Sequence, residues 1–244
     1  MSETRPIIEV IDLVKAFGVM PVLRKFNLNV QRGQFVALLG PNGSGKSTLL
    51  RLLAGLSKPT AGSIRIGGWE LPREAAAVRG QIGMVSHKPL LYDNLTAREN
   101  LLFFARLYNI PKAEQKGRIQ EQLKRVGLDR RADDLVRTFS RGMLQRLTIA
   151  RALLHQPHVL LLDEPYTGLD QDAGGVLDEL LIEAHQAGHT LVMATHQLER
   201  AARLTQRAII LSRGKLALDI ATENLNGHEL AAHYSEATGA QTAS

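Results

Sequence analysis

Cysteine is absent from the 244 residues, which excludes disulfides, cysteine-ligated zinc and thiol nucleophiles. Aromatic residues make up only 5% of the chain. With the basic residues dispersed, that is too few for the base-stacking surface of a single-strand binder, and no nucleic-acid partner is expected. No uncharged apolar run approaches the roughly 18 residues of a membrane span. The N-terminal Met1-Ser2-Glu3-Thr4-Arg5 also lacks the apolar stretch of a signal peptide, so the expectation is a chain that stays in the cytosol. What is present is 44% apolar residues, enough for one large α/β domain or a core with an inserted subdomain. The net charge of +6 with a pI near 9.8 suits a phosphate ligand or a membrane-proximal surface.

The most informative stretch is Phe35-Val36-Ala37-Leu38-Leu39 followed by Gly40-Pro41-Asn42-Gly43-Ser44-Gly45-Lys46-Ser47-Thr48. Five apolar residues predict a buried parallel strand, and the apolar spacing from Ser47 onward predicts a helix. Between them, Gly40-x-x-x-x-Gly45-Lys46-Ser47 fits a P-loop, whose backbone N–H groups wrap a β-phosphate. Side chains at Gly43 and Gly45 would obstruct that approach, Lys46 reaches the β/γ-phosphates, and the Ser47 hydroxyl takes Mg²⁺. A chance glycine-rich turn would not have strand and helix in register on its two sides.

Upstream, residues 7–13 and 26–30 alternate as two half-buried antiparallel strands, with residues 14–18 a turn. Phe17, in that turn, is either a packed core aromatic or a platform for an adenine face. Downstream, 63–66 predicts a strand, 71–78 a brief helix and 81–85 a core strand delivering Ser86 and His87 to the edge where ligands of open α/β sheets sit. From about residue 90 to 154 the pattern turns helical. Thr96-Ala97-Arg98-Glu99 has capping-box spacing before a helix ended by Pro111, a second helix stops at Gly127, and a third starts behind Ser140 as N-cap. Val159-Leu160-Leu161-Leu162-Asp163-Glu164 then predicts a buried strand ending in two carboxylates: Asp163 to hold Mg²⁺ through water, Glu164 to orient or deprotonate an attacking water. Residues 166–170 form a turn, 176–187 a helix, 190–194 a core strand ending at Thr195-His196, and 208–211 the last core strand with a hairpin partner at 216–220. After about 222 a short helix leads to a tail at 238–244 that reads as disordered.

In combination these motifs closely resemble the ATP-binding cassette (ABC) ATPases, over about residues 7–218. The most specific element is Phe139-Ser140-Arg141-Gly142-Met143, similar to the family signature Leu-Ser-Gly-Gly-Gln, with Gln145-Arg146 and Ala150-Arg151-Ala152 behind it. The resemblance implies an α/β fold with a P-loop NTPase (RecA-like) core at 7–89 and 157–220, an antiparallel β-subdomain, and an inserted α-helical signature subdomain at 90–156. Residues 221–244 lie outside it. It further implies ATP and Mg²⁺ as ligands, a head-to-tail ATPase dimer in which Ser140 and the Gly142 N–H complete the partner's γ-phosphate cage, and membrane-spanning permease subunits on the cytoplasmic face of the inner membrane. Phe17 takes the place of the adenine-stacking aromatic, Asp170 of a contact across the dimer, and His196 of the γ-phosphate-sensing histidine. The segment 87–99 takes the place of the lever toward the membrane subunits.

Three departures stand out. Arg141 replaces the first signature glycine, Met143 its glutamine, and His87 the glutamine whose amide oxygen helps coordinate Mg²⁺. A neutral imidazole suits that ion poorly and would act through a water. Ser86-His87-Lys88-Pro89 with Leu95-Thr96-Ala97-Arg98-Glu99-Asn100-Leu101 resembles the ATPase subunit of the haem exporter of cytochrome c maturation. The alternative is a drug, antibiotic or polysaccharide exporter. A non-transport ABC protein fits less well, since those carry two cassettes or a long coiled coil.

Overall fold

The computed structural model describes residues 5–239 apart from His87. Two sheets share one core. The first is antiparallel, order β2-β1-β4-β5, from β1 (Ile8–Phe17), β2 (Met20–Val30), β4 (Ala61–Ile66) and β5 (Trp69–Leu71). The second has order β10-β9-β3-β8-β7-β6. In it β3 (Phe35–Leu39), β6 (Ile82–Val85), β7 (Val159–Asp163), β8 (Thr190–Ala194) and β9 (Arg207–Ser212) run parallel, and β10 (Lys215–Ala221) closes the edge antiparallel. Strands β3 and β8 are buried at every residue, as continuous apolar runs in a parallel sheet covered on both faces must be. Helix α1 (Lys46–Leu53) fills the space between the sheets with Leu49, Leu50, Leu52 and Leu53, all fully buried against Ile8, Phe26 and Ile64.

The helices α3 (Ala97–Leu107), α4 (Lys112–Arg125) and α5 (Arg141–Leu153) form an arm with its own apolar cluster, including Leu101, Phe104, Ile119, Leu123 and Leu147. A complete capping box starts α3: Thr96 Oγ1 accepts from Glu99 N at 3.1 Å, and Glu99 Oε2 from Thr96 N at 2.8 Å. The fully buried Asn100 anchors the preceding loop, accepting from Tyr92 N at 2.8 Å and donating to Tyr92 O at 3.0 Å and Thr96 O at 2.9 Å. His155, just past α5, fastens the arm to the core. Its Nε2 lies 3.0 Å from Ile82 O in β6, and its ring stacks on Tyr108 with centroids 3.8 Å apart. The remaining α-helices are α2 (Ala75–Gln81), α6 (Gln171–Gln186), α7 (Leu198–Leu204) and α8 (Gly227–Thr238).

Several expectations need correction. Strand β1 does not end at Leu13 but continues to Phe17, paired with Met20. Register shifts and left-handed residues at Asp12 (φ 47°) and Lys25 (φ 48°) break the alternation that would have revealed it. Residues 69–71 form a strand, and the helix begins at Ala75 and includes Gln81. Helix α3 ends at Leu107, and Pro111 caps α4 instead. Helix α6 starts at Gln171 rather than 176, because Asp170 Oδ1 caps Ala173 N at 2.8 Å; the weak helix formers Gly174 and Gly175 hide that first turn. Helix α7 was not foreseen. Thr238 closes α8, and the rest of the expected tail, beyond Gly239, lies outside the described residues.

Candidate ATP site

Hydrogen-bond register carries the site. Leu38, Ala194 and Asp163 occupy one row across β3, β8 and β7, so the residues that follow them emerge together at the C-terminal edge of the sheet. Glu164 N donates to Ala194 O at 2.9 Å, and Thr195 N to Leu38 O at 3.3 Å, extending the row into the loops.

The P-loop is clamped from outside as well as shaped for a ligand. A Cβ on Gly45 would lie 2.8 Å from Leu23 Cδ2 and 3.3 Å from Val22 O, so neighbouring side chain and backbone of β2 exclude any larger residue. Gly43 differs: its φ of 78° demands glycine, while its face is open. The Ser44 hydroxyl is buried and has no hydrogen-bond partner among the described residues. An orphaned donor in a glycine-lined loop at a helix N-terminus fits a phosphate oxygen. Lys46 is only 7% exposed, and its Nζ donates to Gly40 O at 2.6 Å and Pro41 O at 3.3 Å, across the mouth of the loop. Burial pulls its pKa below the ordinary lysine value, while the Glu164 and Asp163 carboxylates oppose that shift. Pro41, Asn42 and Ser47 are exposed around it and Thr48 is half-buried.

Ser47 Oγ donates to Asp163 Oδ1 at 2.9 Å, pairing two hard oxygen ligands of the type that Mg²⁺ selects. Glu164 Oε2 lies 2.8 Å from Nδ1 of His196, whose side chain is 64% exposed. Glu164 is in the left-handed region, φ 50°, a conformation that costs energy for a non-glycine residue and persists only where surroundings enforce it.

The structure therefore brings Lys46, Ser47, Asp163, Glu164 and His196 together. Phe17 is 57% exposed, with Lys15 Nζ 4.8 Å from its ring centroid, so the core-aromatic expectation is overturned. Ser140 Oγ accepts from Met143 N at 3.3 Å as the N-cap of α5. Arg141 leans on the loop after Glu164, where a Cβ on Gly168 would lie 2.3 Å from its Cζ, and Gly142 faces Ala173. Met143 packs into the arm's apolar cluster. Among the described residues no hydrogen bond or ion pair joins residues 140–143 to the P-loop. His87 lies outside the described residues. Not foreseen was the cluster of Asp178, Gln197, Arg200 and Arg203 behind the carboxylates. Two arginines three apart on a short helix were its only sequence signal.

Comparison with known proteins agrees with this geometry. The model of the ABC transporter family matches residues 23–167, more than half of the chain. The linearmycin resistance ATP-binding protein LnrL of Bacillus subtilis is 35% identical over 205 residues, spanning 84% of this chain and 66% of that protein. The Nod factor export ATP-binding protein I of Ralstonia nicotianae is 36% identical over 234 residues, 96% of this chain and 73% of that one. Among solved structures, the dimeric post-hydrolysis state of the ATP-binding cassette MJ0796 bound to ADP and Pi superposes with a TM-score of 0.80 at 31% identity, over 89% of this chain and all of that one. A P-loop, a two-carboxylate strand end and a histidine meeting on one sheet edge, beside an inserted helical arm, place this chain in the ABC transporter family as an ATP-binding ATPase subunit.

Proposed function

We propose that this ATPase subunit powers an exporter of a drug, antibiotic or polysaccharide through separate membrane subunits. The observation that carries the ATP chemistry is the pairing of Ser47 with Asp163 and of Glu164 with His196 at one sheet edge. Lys46, the Ser44 hydroxyl and the loop N–H groups grip the β- and γ-phosphates, and Phe17 stacks on the adenine. Ser47 and Asp163 would hold Mg²⁺, which when bound would supply charge neutralisation at the transferred phosphoryl group. Glu164 accepts the proton of the attacking water, and His196 leaves Glu164 for the γ-phosphate as ATP arrives. Ser140 and Gly142 of a second copy close the cage, with Arg141, Met143 and Asp170 along that contact.

A groove of ≈ 490 Å³ between core and arm, lined by Leu56, Met84, Leu90, Leu107, Arg79 and Arg151, is the docking place for a helix of the permease. Leu56, Leu90 and Leu107 are exposed there, and no helix among the described residues is long and apolar enough to cross a membrane. The subunit works on this reading at the cytoplasmic face of the inner membrane, with the core at 7–89 and 157–220 and the arm at 90–156.

The export direction is supported by the resistance and export functions named for the two relatives. Haem export for cytochrome c maturation is the second reading, and its support is Ser86-His87-Lys88-Pro89. The other half of that motif has work that any cargo would require: Thr96 and Glu99 cap α3, and Asn100 anchors its loop. Glu164→Gln tests the chemistry. It should bind ATP, accumulate as a closed dimer and lose at least about a hundredfold in turnover; near-wild-type hydrolysis would end the general-base assignment. Deleting the gene separates the cargoes. Antibiotic sensitivity with normal c-type cytochromes supports the first reading, and loss of c-type cytochromes alone the second.

A further inference from the structure

Behind Glu164 and His196 lies a guanidinium that touches both of their loops. Arg200, on α7, directs Nε to Asp178 Oδ1 at 3.2 Å and Oδ2 at 3.4 Å, and Nη1 to Gln197 Oε1 at 2.6 Å. Its Cζ lies 4.5 Å from the centroid of the Tyr166 ring. Gln197 follows His196 directly, and the buried Tyr166 stands two residues after Glu164. A planar, rigid fork can satisfy two partners along its edges and a ring on its face at once, which a lysine cannot do. The fourth side is occupied too: a Cβ on Gly174, within α6, would lie 2.4 Å from Arg200 Nη2. Glycine in a helix is a poor choice unless something takes the place of its side chain, and here the arginine does.

We propose that Arg200 is a positioning residue that sets the placement of Glu164 relative to His196, and that Gly174 is glycine to admit it. The inference rests on the roles given to Glu164 and His196 above. Two features make the arrangement directional. Helix α7 has only seven residues, too few to hold itself. It is backed by α8, where a Cβ on Gly227 would lie 3.0 Å from Glu199 Cα, so Arg200 braces its front while α8 braces its back. On the other side, the left-handed backbone of Glu164 needs external enforcement: its N–H donates to Ala194 O at 2.9 Å and its carbonyl accepts from Thr167 N at 3.2 Å, and Thr167 directly follows Tyr166, whose ring carries the guanidinium on its face. Arg203 also pairs with Asp178, so this buried carboxylate keeps a partner when Arg200 is removed.

The decisive variant is Gly174→Ala in the full chain. Alanine is the better helix former at 174, which offsets part of what is lost when the flexible guanidinium swings away from the new methyl, so the chain should stay folded with its unfolding midpoint lowered by no more than a few degrees. Turnover should fall about ten- to a hundredfold with KM for ATP changed by less than about twofold, as expected when catalytic groups are misplaced and substrate binding is not. Arg200→Met should give the same split. The double variant Gly174→Ala/Arg200→Met should be no slower than Arg200→Met alone, because the methyl then enters empty space. Wild-type turnover in Gly174→Ala, or losses that multiply in the double variant, would overturn the proposal. If Arg200→Met does not fold, Gly174→Ala decides alone. Glu164→Gln with wild-type turnover would instead remove the reading of the site on which the inference stands.

Discussion

The edge of the parallel sheet and the tip of the helical arm carry the two motifs to which the proposed function assigns the phosphates, yet they are held in different ways. At the sheet edge, Asp163 and the loops of Lys46 and His196 follow strands in register, row by row. At the arm tip, Ser140 to Met143 depend on a single helix end. The Ser140 hydroxyl caps its own helix, Arg141 leans on Gly168, and Met143 is drawn into the arm's cluster. A motif carried by neighbouring strands is aligned by every ladder bond beneath it. A motif on a helix end is only as well placed as the arm that bears it. On the proposed function the first region grips a phosphate by itself, whereas the second serves a second copy of the chain.

The largest expected effect tests that division. Lys46→Ala should weaken ATP binding about a hundredfold in equilibrium titration, the cost of losing a charged donor from a buried site. Mixing it with a Ser140→Arg chain should then restore part of the hydrolysis, since one composite site in each mixed dimer is intact. No recovery from two folded, dimerising variants would break the comparison, because the arm tip would not be serving a partner.

The next effect concerns the joint between the two regions. Burial pushes the His155 imidazole down to about 4 despite its bond to Ile82 O. Its folded pKa is depressed, so the unfolded chain takes up the proton first as pH falls below about 6.5. Stability is complete above that value, declines as the pH falls to about 4, and levels off below, for a total of up to about 3 kcal/mol. Denaturant unfolding at stepped pH should trace that limb, and His155→Phe, which keeps the stack on Tyr108, should flatten it. An unchanged limb would mean that the joint is not where acid acts.

The smallest effect lies within the arm. Thr96→Ala removes half of the capping box and should cost about 1 kcal/mol, leaving ATP affinity at its wild-type value. A shift in affinity would show that the arm and the sheet edge are not energetically separate.

Much of this contrast could be read in the chain, unevenly. Continuous apolar runs followed by glycines or carboxylates expose β3 and β7, because a strand covered on both faces tolerates little else. In the arm the capping box at Thr96, the stop at Gly127 and the N-cap at Ser140 were also legible, being local chemistry. What was hidden lay where tertiary contacts overrule local pattern: the left-handed bulges at Asp12 and Lys25 in the first hairpin, the glycines that mask the start of α6, and α7, whose seven residues are stable only between its neighbours. Phe17 was ambiguous for the same reason, since no local rule tells an exposed aromatic from a buried one.

By itself the sequence determined the class of ligand and singled out Lys46, Ser47, Asp163, Glu164 and His196, which the fold gathers at one sheet edge. A phosphate loop needs glycine, lysine and a hydroxyl in a set order, and that order is a property of the chain. Only the tertiary structure decided which glycines answer to a ligand and which to the protein: Gly43 has an open face, Gly45 is pinned by Leu23, and Gly174 makes room for Arg200. Such contacts join residues far apart in the chain through space of a few cubic ångströms, and close packing, which fills that space in one way only, leaves no periodic trace in the sequence.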